Sequence, residues 1–247
     1  MKIYFLGTNG WYDTKTGNTT CILIDSDEGY VILDAGNGIH KIDQFIKGKK
    51  PIYLFISHFH FDHIIGLHIL NKFHFRQGLR IYGQMGTKRI LNRLINHPFT
   101  AAFNQLPFKA SIHELAEGEH RIPFYLKCKF LKHISRCLGY RFKLENKIIA
   151  YCTDTVFCNN ALQLARDADL LIAECSYKVN EQDTAWPHLN PLSAGEIAKK
   201  AKVKKLALVH FDASIYKTLQ ERKLAQKRCK HIFRNVVSAV DNMQIKI

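Results

Sequence analysis

The spacing of apolar and polar residues divides the chain into short strands and a few helices. Runs of β-branched and aromatic residues, ended by Gly, Asn or Asp, predict strands in the first third of the chain. These strands lie at residues 2–7, 21–27, 30–36, 51–57 and 79–83. The run PIYLFIS at 51–57 is apolar without alternation, which is typical of a strand covered on both faces. Short helices are predicted at 39–46 and 87–96, and mixed strand signals fill 110–153.

After residue 153 the pattern alternates between helices and strands. Helices are predicted at 160–168, 190–201 and 216–229, and strands at 169–175, 205–211 and 242–247. The second of these helices begins with Asn190-Pro191, an N-cap residue followed by proline at the first helical position. No repeat, low-complexity stretch or linker interrupts the chain, so we expect a single domain over residues 1–247. Two packed sheets with helices outside them, a layered α/β fold, fit this order.

The composition is that of an ordinary globular protein. Apolar residues make up 47% of the chain and charged residues 23%. No apolar run reaches the ~18 residues of a membrane span, and the N-terminus does not resemble a leader peptide, which predicts a cytoplasmic protein without a membrane partner. The seven cysteines are scattered without a CxxC pair, which argues against a disulfide framework or a cysteine zinc knuckle.

The net charge of the chain, unlike its composition, indicates a class of partner. A net charge of +15 favours an anionic partner such as nucleic acid, a nucleotide or another phosphate ester. The basic residues concentrate at 199–205 and 217–230. Charges at helical spacing are also typical of a solvated helix face, so the charge supports a phosphate-containing substrate without selecting one.

The stretch ISHFHFDHIIG contains three histidines and an aspartate within six residues. Imidazole and carboxylate are the ligands that zinc and similar divalent ions prefer. His58 and His60 are two residues apart, so on an extended segment both side chains point the same way and can reach one ion. Asp62 and His63 follow where the chain turns and can reach a second position. The two phenylalanines of the motif are expected to point into the core.

Three further candidate ligands follow strand-like runs. KIIAYCTD ends in Asp154, KLALVHF carries His210, and FLKHISRCLGYRF supplies His133. The carboxyl ends of buried strands are where α/β proteins place their chemistry. We therefore expect these side chains to lie near the histidine motif. The other histidines lack such a context and are assigned structural or surface roles: His40, His68, His74, His97, His113, His120 and His231.

In residue type, order and strand-end position, this set resembles the metallo-β-lactamase superfamily. The resemblance implies an αββα sandwich with two divalent metal ions at one edge of the sheets, zinc foremost and manganese or iron as alternatives. The implied ligands are His58, His60 and His133 for one ion, and Asp62, His63 and His210 for the other, with Asp154 bridging them. Such a pair of ions activates a bridging hydroxide for hydrolysis.

Two segments resemble the ribonuclease Z and small phosphodiesterase branch of this superfamily. Gly139-Tyr140-Arg141 follows His133, like the His–GYR segment of those enzymes. His188 stands twenty-two residues before His210, where a histidine in those enzymes protonates the leaving oxygen. An imidazole that titrates near neutrality suits this task. The predicted catalytic residues are therefore His188 and Asp62.

The spacing departs from ribonuclease Z, because only twenty residues separate His133 from Asp154 and leave no room for the arm that grips tRNA. A lone Cys21 also replaces the cysteine-rich zinc site of the phosphonate-pathway phosphodiesterase.

The predicted function is hydrolysis of a small or cyclic nucleotide-like phosphodiester, a small molecule being favoured over nucleic acid. The alternatives are an RNA or DNA nuclease, a lactone or thioester hydrolase, and a metal-stabilised scaffold. A homodimer is a further possibility implied by the resemblance, and Asp34, Gly36 and Glu174 are expected to buttress the site.

Overall fold

Two seven-stranded mixed sheets form the centre of the structure, a computed structural model that describes residues 1–181, 183 and 185–247. In spatial order, the first sheet contains β16 (Met243–Lys246), β1 (Lys2–Gly7), β3 (Cys21–Ser26), β4 (Gly29–Leu33), β5 (Ile52–Phe55), β6 (Leu79–Gln84) and β7 (Ala110–Leu115). The second contains β15 (Val236–Ser238), β13 (Leu206–Val209), β12 (Leu170–Glu174), β11 (Lys147–Cys152), β10 (Cys137–Leu144), β9 (Tyr125–Leu131) and β8 (Gly118–Arg121). Two short strands, β2 (Asn9–Gly10) and β14 (Phe211–Asp212), pair with each other.

Helices cover the outer face of each sheet. The α-helices are α1 (Phe61–Ile64), α2 (Thr87–Leu94), α3 (Asn159–Ala165), α4 (Pro191–Lys200) and α5 (Leu219–Lys230). Shorter 3-10 helices occupy Asn37–Gln44, Ile65–Lys72 and Phe103–Gln105. The layers are therefore helix, sheet, sheet and helix, which confirms the predicted αββα sandwich. No helix among the described residues is both long and apolar enough to cross a bilayer.

The predicted burial of β5 on both faces is confirmed. Tyr53 and Phe55 pack in the cluster between the two sheets, whereas Leu54 packs in the cluster under the helices of the first sheet. Successive side chains of a strand point to opposite faces, so a strand between two apolar layers must be apolar throughout. Truncating one such side chain to alanine costs about 2–5 kcal/mol.

The helix signals were accurate where capping residues were present. The Asn190 side chain accepts hydrogen bonds from the backbone N–H groups of Leu192 and Ser193, at 2.9 and 3.1 Å, and Pro191 opens α4 as predicted. Helix α5 begins later than predicted, at Leu219, because the Thr218 hydroxyl caps the backbone N–H of Glu221. The helix predicted at 39–46 is a 3-10 helix, and the three-residue edge strand β15 was not predicted.

Parallel strands in both sheets bring their carboxyl ends to the same edge of the sandwich. Strands β4 and β5 are parallel neighbours in the first sheet, and β11, β12 and β13 are parallel neighbours in the second. Ligand sites of α/β proteins lie outside the carboxyl ends of such strands. The edge where these five strands end is therefore where the candidate site is found.

Candidate active site

The predicted metal ligands come together at this edge from both sheets. The HFHFDH motif follows β5: His58 and His60 lie on the extended segment, and Asp62 and His63 lie in α1. From the second sheet, His133 follows β9, Asp154 follows β11 and His210 follows β13. His58 and His63 are completely buried.

A first cluster contains His58, His60, His133 and Asp154, whose ligand atoms all lie within 4.8 Å of one another. Nδ1 of His60 lies 3.5 Å from Nε2 of His133. Nε2 of His58 is buried and has no hydrogen-bond partner within the described part of the chain. A buried polar atom without a partner is costly, and a bound cation would remove that cost. This cluster could therefore hold a metal ion.

The second cluster has the spacing of a tetrahedral site. Nε2 of His63 lies 3.1 Å from Nε2 of His210, 3.4 Å from Oδ2 of Asp62 and 3.2 Å from Oδ2 of Asp154. Nε2 of His210 lies 3.1 Å from Oδ2 of Asp62 and 3.4 Å from Oδ2 of Asp154. Four ligands bound to zinc at about 2.0–2.1 Å are about 3.3 Å apart. The donor set thus fits a small divalent cation, and Asp154 belongs to both clusters.

A serine hydroxyl fixes the orientation of His58. The Ser57 hydroxyl donates to Oδ2 of Asp34 at 2.8 Å and accepts from Nδ1–H of His58 at 3.0 Å. A proton on Nδ1 leaves the lone pair of Nε2 free for the first cluster. Asp34 also accepts from Nδ1–H of His63 at 2.8 Å and from the Tyr151 hydroxyl at 2.7 Å. The predicted supporting role of Asp34 therefore agrees with its contacts.

A second serine does the same for His210. The Ser176 hydroxyl donates to Oε2 of Glu174 at 2.8 Å and lies 3.0 Å from Nδ1 of His210. Nε2 of His210 is thereby left for the second cluster. A buried carboxylate, a serine and a ligand histidine thus form the same relay in each sheet.

The electrostatics of the clusters favour a cation. Burial holds the pKa of His58 well below its usual value, so this imidazole is neutral, as a metal ligand must be. Burial alone would also lower the pKa of His63, but the surrounding carboxylates outweigh it and raise that pKa well above its usual value. Among the described ion pairs, the carboxylates of Asp34, Asp62 and Asp154 pair only with histidines. The site therefore attracts positive charge that no lysine or arginine supplies.

His188 lies beside both clusters and is paired with Glu174. Nδ1 of His188 is 2.8 Å from Oε1 of Glu174, and a ligand atom of His188 groups with those of Asp154 and His210. Burial opposes the charged form of His188, but the Glu174 carboxylate outweighs it and raises the pKa of His188 to about 9. The imidazole is therefore protonated at neutral pH and can donate a proton toward the clusters.

Three residues at strand ends have left-handed backbone conformations. The φ angles are 57° for Asp34, 49° for Asp154 and 53° for His210. Non-glycine residues rarely adopt this region, and strain of this kind concentrates at functional sites. Gly36 is needed for a different reason, because a Cβ atom there would lie 2.3 Å from the Asp62 carbonyl oxygen.

The GYR segment is structural. The Tyr140 hydroxyl donates to the Ile56 carbonyl at 2.6 Å, in the segment that leads to His58. Arg141 donates to the carbonyl oxygens of Leu164 and Arg166, at 2.7 and 2.6 Å, at the end of α3. These residues support the scaffold of the site and do not line its cleft.

A cleft of about 810 Å³ lies over the clusters. His60, Asp62, Asp154, His188 and His210 all line it. The side chains of three aromatic residues stand at its rim: Trp11, Phe61 and Trp186.

No pattern in the sequence indicated Trp11 or Trp186, and the prediction that Phe61 points into the core is wrong, because this side chain is 65% exposed. The chain turns into α1 at Phe61, which ends the strand alternation and directs the side chain outward. Phe59 does pack against the core.

Comparison with known proteins gives the family. A sequence profile described as "Beta-lactamase superfamily domain" matches residues 30–211. Ribonuclease Z of Methanosarcina acetivorans is 27% identical over 317 aligned positions, which cover 100% of this chain and 98% of the relative. That alignment is longer than this chain, so the relative contains inserted segments that are absent here. The "Probable metallo-hydrolase YhfI" of Bacillus subtilis is 26% identical over 221 positions, 85% of this chain and 87% of the relative.

Solved structures agree with the fold. The structure of YhfI from Bacillus subtilis has a TM-score of 0.82 at 21% identity and covers 99% of this chain and 98% of that one. The short form of human tRNase Z has a TM-score of 0.79 at 23% identity, covering 100% and 99%. A diphosphatase from the PhnP family has a TM-score of 0.75 at 16% identity, covering 100% and 97%.

These matches confirm the predicted superfamily, and the names of the relatives agree with the predicted class, a metal-dependent hydrolase. The matched segment contains every predicted ligand, from His58 to His210. Because the profile spans most of the chain, we conclude that this chain belongs to the β-lactamase superfamily domain family.

Proposed function

We propose that the chain is a metal-dependent phosphodiesterase that hydrolyses a small or cyclic nucleotide-like phosphodiester. The observation that carries this proposal is the position of His188, a carboxylate-paired imidazole whose ligand atom groups with Asp154 and His210. Cleavage of a phosphodiester expels an alkoxide, which needs a proton donor at neutral pH. A lactone or thioester hydrolase, or a scaffold, gives no reason for such a donor beside the metal clusters.

The clusters would hold two divalent cations, zinc foremost. The proposed ligands are His58, His60 and His133 for the first cation, and Asp62, His63 and His210 for the second, with Asp154 shared. When bound, two such cations activate water and neutralise charge on phosphoryl oxygens.

Side chains of the protein perform the remaining steps of the proposed hydrolysis. Asp62 lines the cleft and orients the attacking water. As the oxygen of this water bonds to phosphorus, the bond from phosphorus to the leaving oxygen breaks, and His188 donates its proton to that oxygen. Glu174 holds the imidazolium in place and stabilises its charge. The proton released by the water restores His188, so one water molecule is consumed in each turnover.

The preference for a small substrate rests on the surroundings of the clusters. The residues between His133 and Asp154 are occupied by β10 and β11, which pair as a hairpin and leave no segment for a substrate-gripping arm. None of the described residues that line the cleft is a lysine or arginine.

A ribonuclease is the second candidate, favoured by the similarity to ribonuclease Z and by the net charge of +15. Steeply salt-dependent binding of oligonucleotides would support it, because phosphate contacts release counterions. Binding that is indifferent to salt would exclude it.

The proposal is tested with a hydrolysis panel on purified protein of known metal content. The panel compares bis-p-nitrophenyl phosphate, cyclic nucleotides and short RNA with a lactone and a thioester. We expect turnover of phosphodiesters, and a loss of about 10²–10⁴-fold in kcat for His188→Ala on cyclic nucleotides or RNA, with metal content unchanged. The loss should be much smaller on bis-p-nitrophenyl phosphate, because p-nitrophenolate leaves without a proton donor. The matched control is His74→Ala, which removes an exposed histidine outside the site. Bound metal without phosphodiester cleavage would contradict the proposal and favour a carbonyl-ester hydrolase.

A further inference from the structure

The rim of the cleft is aromatic and exposed. Trp11 is 67% exposed, Phe61 65% and Trp186 50%, and all three line the cleft over the metal clusters. Large exposed apolar side chains that are grouped beside a site indicate a binding surface. The chain contains two tryptophans, and both are on this rim.

The backbone of Trp11 is held by Asp62, a candidate metal ligand. Its N–H donates to Oδ2 of Asp62 at 2.8 Å, and its φ angle of 71° lies in the left-handed region. A tryptophan adopts this conformation only where its surroundings compensate for the strain. The indole packs edge-on against Tyr12, with ring centres 5.1 Å apart. The backbone of Trp11 is therefore positioned relative to a candidate metal ligand, and its ring packs against Tyr12.

Trp186 is held at the rim by separate contacts. Its carbonyl accepts a hydrogen bond from the Tyr177 hydroxyl at 2.7 Å, and its ring centre lies 6.0 Å from that of His60. The ring of Tyr177 is in turn 5.7 Å from that of His188. Trp186 is thus tied both to a candidate metal ligand and to the neighbour of the proposed proton donor.

The charged residues of the cleft lining limit the kinds of ligand that these aromatic rings can bind. The described charged residues of the lining, histidines apart, are the four aspartates Asp62, Asp154, Asp183 and Asp212. No lysine or arginine is among the described lining residues, so a second anionic group on the substrate would find neither side chain to pair with at the rim. A planar heteroaromatic ring suits the surface, because bases stack on aromatic side chains and their ring N–H or exocyclic amino groups can donate to carboxylates.

We infer that Trp11 and Trp186 form a stacking platform for a nucleobase, so that they set a preference for nucleoside phosphodiesters over alkyl phosphodiesters. The inference rests on the proposed function for the reaction and adds the group that the enzyme recognises. Phe61 extends the apolar rim next to Asp62. The phosphodiester then reaches the metal clusters while the base stays at the rim.

The first test compares two substrates with the same leaving group, the p-nitrophenyl ester of thymidine 5′-monophosphate and methyl p-nitrophenyl phosphate. We expect the wild type to prefer the nucleoside ester in kcat/KM. Trp186→Ala and Trp11→Ala should each reduce this preference about tenfold, whereas Trp186→Phe retains most of it. Phe99→Ala is the matched control, since Phe99 is 71% exposed and lies outside the cleft lining. A preference that neither alanine variant changes would overturn the inference and leave the phosphodiesterase proposal intact.

The second test does not depend on turnover. Tryptophan fluorescence of the metal-loaded protein reports only on this rim, because both tryptophans are there. We expect AMP to quench the emission and ribose 5-phosphate to leave it unchanged. Trp11→Phe and Trp186→Phe, each with one remaining tryptophan, identify which indole responds. Equal responses to the two ligands, or none to AMP, would overturn the stacking inference. Quenching by AMP in a protein that hydrolyses neither ester would instead refute the proposed reaction and retain the platform.

Discussion

Glu174 and His188 form a buried carboxylate–imidazole pair, with Oε1 of Glu174 2.8 Å from Nδ1 of His188. Glu174 is completely buried, and its carboxylate also accepts from the backbone N–H of Thr155 and from the Ser176 hydroxyl. These contacts fix the carboxylate, which in turn fixes the donor direction of His188. One acidic side chain thereby orients the proposed proton donor and, through Ser176, the candidate ligand His210.

The pair predicts a change in pH dependence for Glu174→Gln. Burial alone would lower the pKa of His188, and the negative charge of Glu174 is the main reason that it is instead raised to about 9. Removing that charge lowers the pKa, so His188 loses its proton at a lower pH. The alkaline limb of the kcat–pH profile should therefore shift to lower pH, with a loss of about tenfold or more in kcat at pH 8.

The control for this profile is Glu196→Gln, which neutralises an exposed glutamate on α4. It should leave both limbs in place. If Glu174→Gln lowered kcat by the same factor at every pH, Glu174 would have only a positioning role and not an electrostatic one.

Metal removal should lower thermal stability. Cations bound by Asp62, His63 and His210 would join the two sheets, because the first two residues follow β5 and the third follows β13. A ligand at one hundred times its Kd stabilises the folded state by about 2.7 kcal/mol. For a chain of this size, that corresponds to a fall of roughly 5–10 °C in Tm on chelation.

Calorimetry with and without chelator measures the shift, and re-adding zinc should reverse it. In His210→Ala the shift should be much smaller; an equal shift there would place the stabilising metal elsewhere.

The serine relays predict weaker metal binding in Ser57→Ala and Ser176→Ala. Each variant removes the hydroxyl that links a buried carboxylate to Nδ1 of a ligand histidine. Loss of such an orienting contact typically costs about 10–100-fold in metal affinity. Competition with a chromogenic chelator measures the affinity.

Ser26→Ala is the matched control, because Ser26 is a buried serine whose hydroxyl donates to the Gly29 carbonyl far from the site. Metal affinities equal to that of the control would show that the relays do not orient the ligands.

Asp169 predicts a stability difference that depends on pH. Its carboxylate accepts from the backbone N–H of Ile148 at 2.8 Å and from Nζ of Lys204 at 2.9 Å. Burial opposes ionisation, but these hydrogen bonds outweigh it and lower the pKa of Asp169. Because the pKa of Asp169 is lower in the folded than in the unfolded protein, its ionised carboxylate stabilises the fold at any pH above the unfolded-state pKa. This stabilisation is lost as the pH falls through the folded-state pKa.

Asp169→Asn should therefore be about 1 kcal/mol less stable than the wild type at pH 7. The difference should close below about pH 4, as followed by urea unfolding at several pH values; a constant difference would exclude the electrostatic origin.

The grouping of the candidate ligands could be predicted from the sequence because most of them lie close together along the chain or at strand ends. HFHFDH places four candidate ligands within six residues, and Asp154 and His210 each follow a buried strand. Parallel strands then bring those ends together without further information. The start of the helix at Asn190-Pro191 could also be predicted from the sequence, since its capping contacts lie within three residues of the helix start.

The remaining features depend on contacts that sequence spacing does not encode. Ser57 gains its role from Asp34, 23 residues away, and Asp34 is also held by Tyr151, 117 residues away. Trp11 and Trp186 lie outside regular strands and helices, where no periodic pattern marks the direction of a side chain. Phe61 was wrongly predicted to point into the core because α1 begins at this residue. The two-residue alternation of side chains along the strand ends there, and the helical period begins.

The division of the ligands between the two sheets also has a consequence for synthesis of the chain. Translation delivers His58, His60, Asp62 and His63 early, His133 and Asp154 later, and His210 only near the end. Domains generally fold as units, so a chain that still lacks β13 carries the histidine motif without His210 and without a complete second sheet. The proposed hydrolytic activity would therefore arise only after most of the chain has been made, and a truncated chain that lacks His210 would be inactive.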